Sequence, residues 1–255
     1  MLRHVPTLLK RELSAYFLGP MAFLILLAFQ LIAWVNFFDL IEELARNPRV
    51  YSGMRGPLTR YVSFSPPFWI AILVAVPALT MRLLAEERRS GTIETLLTVP
   101  VTEVEVVVSK WLAGLVMYLA LLAPFALYLP FLYHQGRLPF DVGPFVAMAI
   151  GLTTMGMMFV AIGLFFSALT RNQVVAAIWT FAVLFVLIFL AFIAQLTVGA
   201  SRSRLAEVIQ FVSAISQVQS FALGLLDLRF VALHLSVCAF VLYLTVKAVR
   251  WRREG

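Results

Sequence analysis

Charged residues are scarce in this chain: Asp, Glu, Lys and Arg make up 13% of its 255 residues, whereas 62% are hydrophobic. A soluble globular chain is closer to half apolar and about one quarter charged. The mean hydropathy of +0.95 therefore places the chain in the membrane class. Its apolar runs are long and unbroken rather than alternating, which predicts membrane-spanning helices and excludes a barrel.

Residues that carry catalysis are also few. The single cysteine, Cys238, cannot form an internal disulfide, so the fold requires no oxidising compartment. A phosphate-binding loop needs Gly-Lys followed by Ser or Thr, and none of the three lysines (Lys10, Lys110, Lys247) follows a glycine. No His, Cys, Asp or Glu cluster has metal-ligand spacing. The sequence therefore predicts that this chain is not an enzyme and has no cofactor of its own.

The apolar runs lack ionisable residues in their middles. Intramembrane charges mark proton relays and ion pathways, so their scarcity argues against a proton-coupled carrier or a charge-selective channel. His134, near a run end, and His234, inside the last run, are interpreted as packing or interface residues. The net charge of +7 arises mainly from basic residues at run ends, which set orientation and meet lipid headgroups. Nucleic acid is therefore not an expected partner.

Six of the runs are long enough to cross the hydrocarbon core as helices. We predict spans at about 21–41, 66–84, 106–133, 143–169, 174–197 and 230–249. An even number of spans places both termini on one side, and Lys and Arg are more frequent on that side, which predicts cytoplasmic termini. The expected fold is a single all-α polytopic membrane domain over residues 1–255.

Two segments outside the spans are predicted to be amphipathic helices. Residues 1–18 have apolar residues at helical spacing, and their polar residues include Lys10, Arg11 and Glu12. This pattern favours a helix in the membrane interface over a simple extension of the first span. Residues 198–229 have a similar pattern and are expected to re-enter or cap the bundle on the outer side.

The most polar stretch, residues 82–100, reads RLLAEERRSGTIETLLTVP. Arg82 and Glu86 are four apart, which predicts an ion pair across one helical turn. Gly91 permits a break, residues 92–98 form a second short amphipathic helix, and Pro100 ends it. Thr102-x-x-Glu105 then predicts a capping box before the third span. Residues 85–104 are therefore either a solvated turn or a docking element for a soluble partner.

The sequence resembles the permease subunits of ABC-2 type transporters, especially the gliding-motility and related multi-gene branch. The resemblance lies in RELSAYFLGP (11–20), PALTMRLLAEERRSGTIETLLTVPVTEVEVVVSKWL (77–112), AIGLFFSALTRNQVVAAIWTF (161–181) and SFALGLLDLRFVALHLSV (220–237). These stretches occur in the expected order, and the block E-E-R-R-x-G-T-I-E-x-L-L-x-x-P is the most specific of them.

The resemblance implies a membrane subunit of an ATP-driven transporter in the bacterial cytoplasmic (inner) membrane. It implies two cytoplasmic ABC ATPase subunits that bind ATP and Mg, a second permease subunit in a homo- or heterodimer, and membrane lipids. A membrane-anchored extracytoplasmic accessory subunit is a further candidate partner. Two alternatives remain: a scaffold that transmits ATP-driven work without passing cargo, and an ATP-independent carrier.

Particular residues match the family's coupling positions. The segment between spans two and three becomes a cytoplasmic coupling helix seated on the ATPase, and the turn between spans four and five becomes a second contact. The matching residues are Glu86, Glu87, Arg88, Gly91, Thr92, Glu94, Pro100, Arg171 and Asn172.

Small residues recur in the fourth span. They are Ala147, Gly151, Gly156 and Gly163. Small side chains allow membrane helices to approach closely, which would permit them to slide past one another. Simple close packing explains the same pattern equally well.

Overall fold

The computed structural model describes residues 4–46, 65–90, 102–136, 142–198 and 204–254. Within these ranges the chain forms ten helices and no strand. The helices are α1 (Val5–Leu18), α2 (Pro20–Arg46), α3 (Pro66–Thr80), α4 (Arg82–Ser90), α5 (Glu103–Gly136), α6 (Val142–Leu169), α7 (Gln173–Val198), α8 (Arg204–Val212), α9 (Ala214–Ala222) and α10 (Leu228–Glu254). The short helix predicted over residues 92–98 lies outside the described ranges.

Six helical stretches in the described part of the chain are long and apolar enough to cross a membrane. They are Pro20–Glu43, Pro66–Arg89, Glu103–Pro124, Val142–Leu169, Gln173–Leu190 and Leu228–Trp251. The second stretch contains both α3 and α4. The predicted all-helical architecture with six spans is therefore confirmed.

The spans differ in how much of their surface the bundle buries. The second and fourth spans are 72% and 67% buried, whereas the first, fifth and sixth are only 28%, 22% and 22% buried. Large side chains at the centre come from the inner spans: Trp69 in α3, Tyr118 in α5 and Phe159 in α6 are almost fully buried. The bundle is therefore built around α3, α5 and α6, with the other spans at its periphery.

Three glycines of α6 leave space that side chains of neighbouring helices fill. A Cβ atom on Gly156 would lie 2.1 Å from the Tyr118 ring, and one on Gly163 would lie 2.1 Å from Thr80 Oγ1. A Cβ on Gly151 would lie 2.3 Å from the Phe221 ring. Any larger residue at these positions would force its neighbour to move, which is the cost of overpacking a dense core.

Polar residues of the first span join it to its neighbours. Gln30 Nε2 donates to the Leu121 carbonyl of α5 at 2.8 Å. Ser65 Oγ, at the start of α3, donates to Asn36 Oδ1 at 2.5 Å. An amide facing hydrocarbon without a partner is costly, so these two bonds fix which face of α2 turns toward the bundle.

The segment between the fifth and sixth spans contains two short helices rather than one, with Ser213 between them. Nine residues give each helix a length of about 13 Å, too short to cross a bilayer. α9 nevertheless packs inside the bundle, and its Gln217 is fully buried. Gln217 Oε1 lies 2.8 Å from His234 Nε2 in α10, and His234 Nδ1 lies 3.1 Å from Thr154 Oγ1 in α6. His234 therefore connects the short helices to two spans.

The close approach at Gly156 gives a stability prediction. Gly156→Ala is expected to lower the free energy of unfolding by about 1–3 kcal/mol, because the new methyl group overlaps the Tyr118 ring. Thermal unfolding of the detergent-purified protein measures this loss. In a Tyr118→Ala background the same substitution should cost much less. An equal cost in both backgrounds would show that the ring contact is not the cause.

Candidate functional site

Lys110, near the start of α5, carries a buried positive charge. Its side chain is 2% exposed, and its Nζ lies 2.7 Å from Glu87 Oε1 and 3.1 Å from Glu12 Oε2. Arg11 adds a second cation, with its guanidinium 3.0 Å from Glu12 Oε1 and 3.5 Å from Glu87 Oε1. We call these four residues the charge cluster. It joins three separate helices, α1, α4 and α5.

The charge cluster is formally neutral, with two cations and two carboxylates. Moving an isolated ammonium group out of water costs several kcal/mol even after the protein relaxes. Lys110 offsets this cost by donating hydrogen bonds to two carboxylates at once. If α1 or α4 moved away from α5, Lys110 would lose one of these two hydrogen bonds. The three helices are therefore held in one arrangement at this end of the bundle.

Further hydrogen bonds hold α1 in the position that the charge cluster needs. The predicted capping box is confirmed: the Glu105 amide donates to Thr102 Oγ1 at 3.3 Å, and the Thr102 amide donates to Glu105 Oε2 at 3.0 Å. Glu105 Oε1 also accepts a bond from the His4 amide at 3.1 Å. Farther along α1, Tyr16 Oη donates to the Leu79 carbonyl of α3 at 2.7 Å. Burial raises the pKa of Tyr16, which keeps its hydroxyl a donor.

The predicted residues of α4 divide into inward-facing and outward-facing side chains. Glu87 belongs to the charge cluster and is 18% exposed, and Arg88 is also buried. Glu86 and Arg89 are exposed. The predicted pair between Arg82 and Glu86 is confirmed, with Arg82 Nε 3.3 Å from Glu86 Oε2. Glu86 and Arg89 are thus the α4 side chains accessible to a partner.

The residues predicted on α1 divide in the same way. Lys10 and Arg11 are exposed, whereas the Glu12 side chain is 12% exposed and bonded to Lys110. The helix begins with a proline in its first turn, and Leu9 and Leu13 pack against the core. One face of α1 is therefore fixed to the bundle and the other carries basic side chains outward.

The turn between α6 and α7 is part of the same end of the bundle, because Ser167 near the end of α6 contacts α4. Asn172 acts as the helix cap of α7: its Oδ1 accepts a bond from the Val174 amide at 2.9 Å. Arg171 is exposed beside it. We call α1, α4, the first two turns of α5 and the turn at residues 170–172 the charged end.

Four of the predicted coupling residues lie outside the described ranges. They are Gly91, Thr92, Glu94 and Pro100. Conversely, Lys110 was not among the predicted site residues. Neither residue three nor residue four positions away on either side is acidic, so no local pattern pointed to a partner. The sequence did contain one indication of this role. A lysine inside an otherwise apolar run needs a counter-charge from another part of the chain.

Two ion pairs away from the charged end join near neighbours instead of separate helices. Asp227 accepts three bonds from the Arg229 guanidinium, the shortest one 2.7 Å long, and this contact holds the pKa of Asp227 below its usual range. Glu42 and Arg46 pair across one turn of α2. Among the described residues, no group of three or more His, Cys, Asp or Glu side chains is arranged to hold a metal.

The ion pairs of the charge cluster thus join separate helices at one end of a bundle with six candidate membrane spans. Residues 11–248 match the family described as ABC-2 family transporter protein. The chain belongs to this family. No curated protein matches the chain. As an ABC-2 family transporter membrane protein it is multi-pass, and members of the family are typically not catalytic themselves.

The charge cluster gives a second prediction. Lys110→Met should lower the free energy of unfolding by about 3–5 kcal/mol, because Glu12 and Glu87 would lose their buried cation and share only the half-exposed Arg11 guanidinium. Adding Glu12→Gln and Glu87→Gln to Lys110→Met should recover most of that loss, since the one charge that then remains in the cluster is the Arg11 guanidinium, whose side chain is 52% exposed to solvent. Denaturant or thermal unfolding in detergent measures both variants.

Arg46→Met is the matched control for the lysine substitution. It breaks the exposed pair with Glu42, whose side chains are 74% and 47% exposed, and should cost less than about 1 kcal/mol. Equal losses for Lys110→Met and Arg46→Met would contradict the assignment of the charge cluster as the contact that holds this end together.

Proposed function

We propose that this chain is the membrane-spanning subunit of an ATP-driven ABC-2 transporter, and that its charged end receives a cytoplasmic ABC ATPase. The observation that carries the proposal is the charge cluster, which joins α1, α4 and α5 into one unit. A docking surface can transmit force only if its parts move together. Membership of the ABC-2 family supplies the class of partner.

The surface offered to the ATPase is proposed to combine three elements. Lys10 and Arg11 on α1, Glu86 and Arg89 on α4, and Arg171 in the turn are exposed and carry charges of both signs. Such a mixed surface suits an electrostatically complementary protein partner. The segment from Gly91 to Pro100, which contains Thr92 and Glu94, follows α4 directly and is proposed to complete the surface as a coupling helix.

Glu87 and Glu12 have a different role in this proposal. Their carboxylates are bonded to Lys110, so they position α4 and α1 instead of contacting the ATPase directly. When ATP binding closes the ATPase pair, the closed pair would bind one arrangement of the membrane helices better than another. That differential affinity shifts the population of the two arrangements, which is the coupling between ATP and the membrane subunit.

The remaining features of the assembly follow from the same proposal. Docking at the charged end places both termini in the cytoplasm, which agrees with the distribution of basic residues along the chain. The ATPase pair, which binds ATP and Mg, requires a second permease subunit beside this one. A bacterial inner membrane, the gliding-motility type branch and an extracytoplasmic accessory subunit are proposed from the sequence resemblance.

Site-specific crosslinking tests the docking surface. The single cysteine, Cys238, is buried, so Cys238→Ala gives a background without cysteine. Glu86→Cys and Arg171→Cys are then labelled with a photoactivatable maleimide in membranes that contain the ABC ATPase co-purifying with this chain. Both positions are expected to crosslink to the ATPase, because both lie on the exposed charged end.

Glu207→Cys is the matched control, since Glu207 is an exposed acidic residue of α8, outside the charged end. It is expected to give no crosslink to the ATPase. The proposal fails if mild-detergent purification repeatedly recovers no ABC ATPase, or if Glu207→Cys crosslinks as efficiently as the two test positions.

A further inference from the structure

The hydroxyl of Ser167 bonds to the backbone of a neighbouring helix at three atoms. Ser167 Oγ accepts bonds from the Leu84 and Ala85 amides, both at 3.0 Å, and donates to the Met81 carbonyl at 2.9 Å. Ser167 is fully buried. A hydroxyl has one donor and two acceptor positions, so these three bonds use its whole capacity.

These bonds fall where α3 passes into α4. In an uninterrupted helix, the amides of Leu84 and Ala85 would donate to the carbonyls four residues earlier, those of Thr80 and Met81. Met81 separates the two helices although its backbone angles, φ −55° and ψ −32°, remain helical. A side chain inserted into the hydrogen-bond ladder is a known cause of helix bending. Ser167 is such an insertion, and it comes from another span.

Two nearby features bring Ser167 to this position. Gly163 lies one helical turn before Ser167 on the same face of α6, and its missing side chain leaves room for Thr80. Pro77, inside α3, has no amide hydrogen, which already weakens the ladder just before Met81. The second span is therefore interrupted twice within a short stretch, and α6 approaches closely enough for a serine to reach the interruption.

The interruption separates the membrane part of the second span from the part that carries Glu86 and Glu87. Glu87 is fixed to Lys110, and Ser167 precedes the turn that presents Arg171. The hydroxyl thus lies between two elements of the charged end and contacts α4 from the α6 side. Any movement of α4 relative to α3 must change these three hydrogen bonds.

We propose that Ser167 is a positioning residue that sets the angle between α3 and α4 and carries movement of α4 to the fourth span. The role of Ser167 in carrying movement rests on the proposed function, whereas the angle between α3 and α4 is a property of this chain alone. Without the hydroxyl, the amides of Leu84 and Ala85 have the carbonyls of Thr80 and Met81 as their nearest alternatives. The second span would then become continuous, and α4 would point in a new direction.

Distance measurements on the isolated chain test the angle. Spin labels at Arg89→Cys and Arg171→Cys, in the Cys238→Ala background, report the separation between the far end of α4 and the turn after α6. α4 is about 13 Å long, so a change in bend of about 20° moves its far end by about 4 Å. Ser167→Ala is expected to shift the distance distribution by about this amount, and Ser167→Thr, which keeps the hydroxyl, should not.

Ser109→Ala is the matched control. Ser109 is also buried, but its hydroxyl donates only to the Val106 carbonyl of its own helix at 2.9 Å. It should leave the distance unchanged. The inference is overturned if Ser167→Ala leaves the distance unchanged, or if Ser109→Ala or Ser167→Thr shifts it equally. Ser167→Gly, a second variant without the hydroxyl, replaces Ser167→Ala if the latter does not fold.

A second measurement separates this inference from the proposed function. The Ser167→Ala chain should still bind the ABC ATPase. The rate of ATP hydrolysis in that complex should, however, no longer respond to the membrane subunit, which is the loss of coupling that we expect. Retained coupling despite a shifted distance would overturn the role in transmission. A shifted distance with no ATPase recovered in any preparation would refute the proposed function while leaving the angle-setting role of Ser167 intact.

Discussion

A buried lysine that must be neutralised is the constraint on which the charged end depends. Lys110 lies inside the bundle, and the only way to keep its charge there at acceptable cost is to bring carboxylates to it. One comes from α1 and the other from α4. The requirement of a single ammonium group therefore determines where two otherwise separate helices must lie, and it explains why Glu12 of α1 and Glu87 of α4 face inward.

Two kinds of contact hold this part of the bundle together. Ionic contacts join α1, α4 and α5, while hydroxyl and glycine contacts join α3 and α4 to α6. Ionic contacts are strong but tolerate some change of direction. The hydrogen bonds that Ser167 Oγ accepts from backbone amides are directional and depend on the helical hydrogen bonds around them. α4 is therefore held by an ion pair at Glu87 and by direction-dependent hydrogen bonds close to Met81.

Features that depend on neighbours in sequence could be predicted, and features that depend on distant residues could not. Span positions follow from uninterrupted apolar length, and the Thr102–Glu105 box and the Arg82–Glu86 pair follow from spacing within one turn. Lys110 and Glu12 are 98 positions apart, and Ser167 is 83 positions from Leu84. No periodicity relates residues that are so far apart. A serine within an apolar run also looks the same in the sequence whether its hydroxyl bonds to its own helix, as that of Ser109 does, or to another helix, as that of Ser167 does.

The hydrogen bonds around His234 have a consequence for the order in which the chain is made. Gln217 is fully buried, and its partner His234 is synthesised 17 residues later, in α10. Thr154, the other partner of His234, has by then been present for some time, since it precedes the histidine by 80 positions. Gln217 Nε2 donates to the Phe211 carbonyl at 2.8 Å, but until α10 is inserted the side-chain oxygen of Gln217 would lie in an apolar interior without its imidazole partner. Insertion of α10 is thus the step that supplies the imidazole partner of Gln217, so the position of α9 depends on a part of the chain that is made after it.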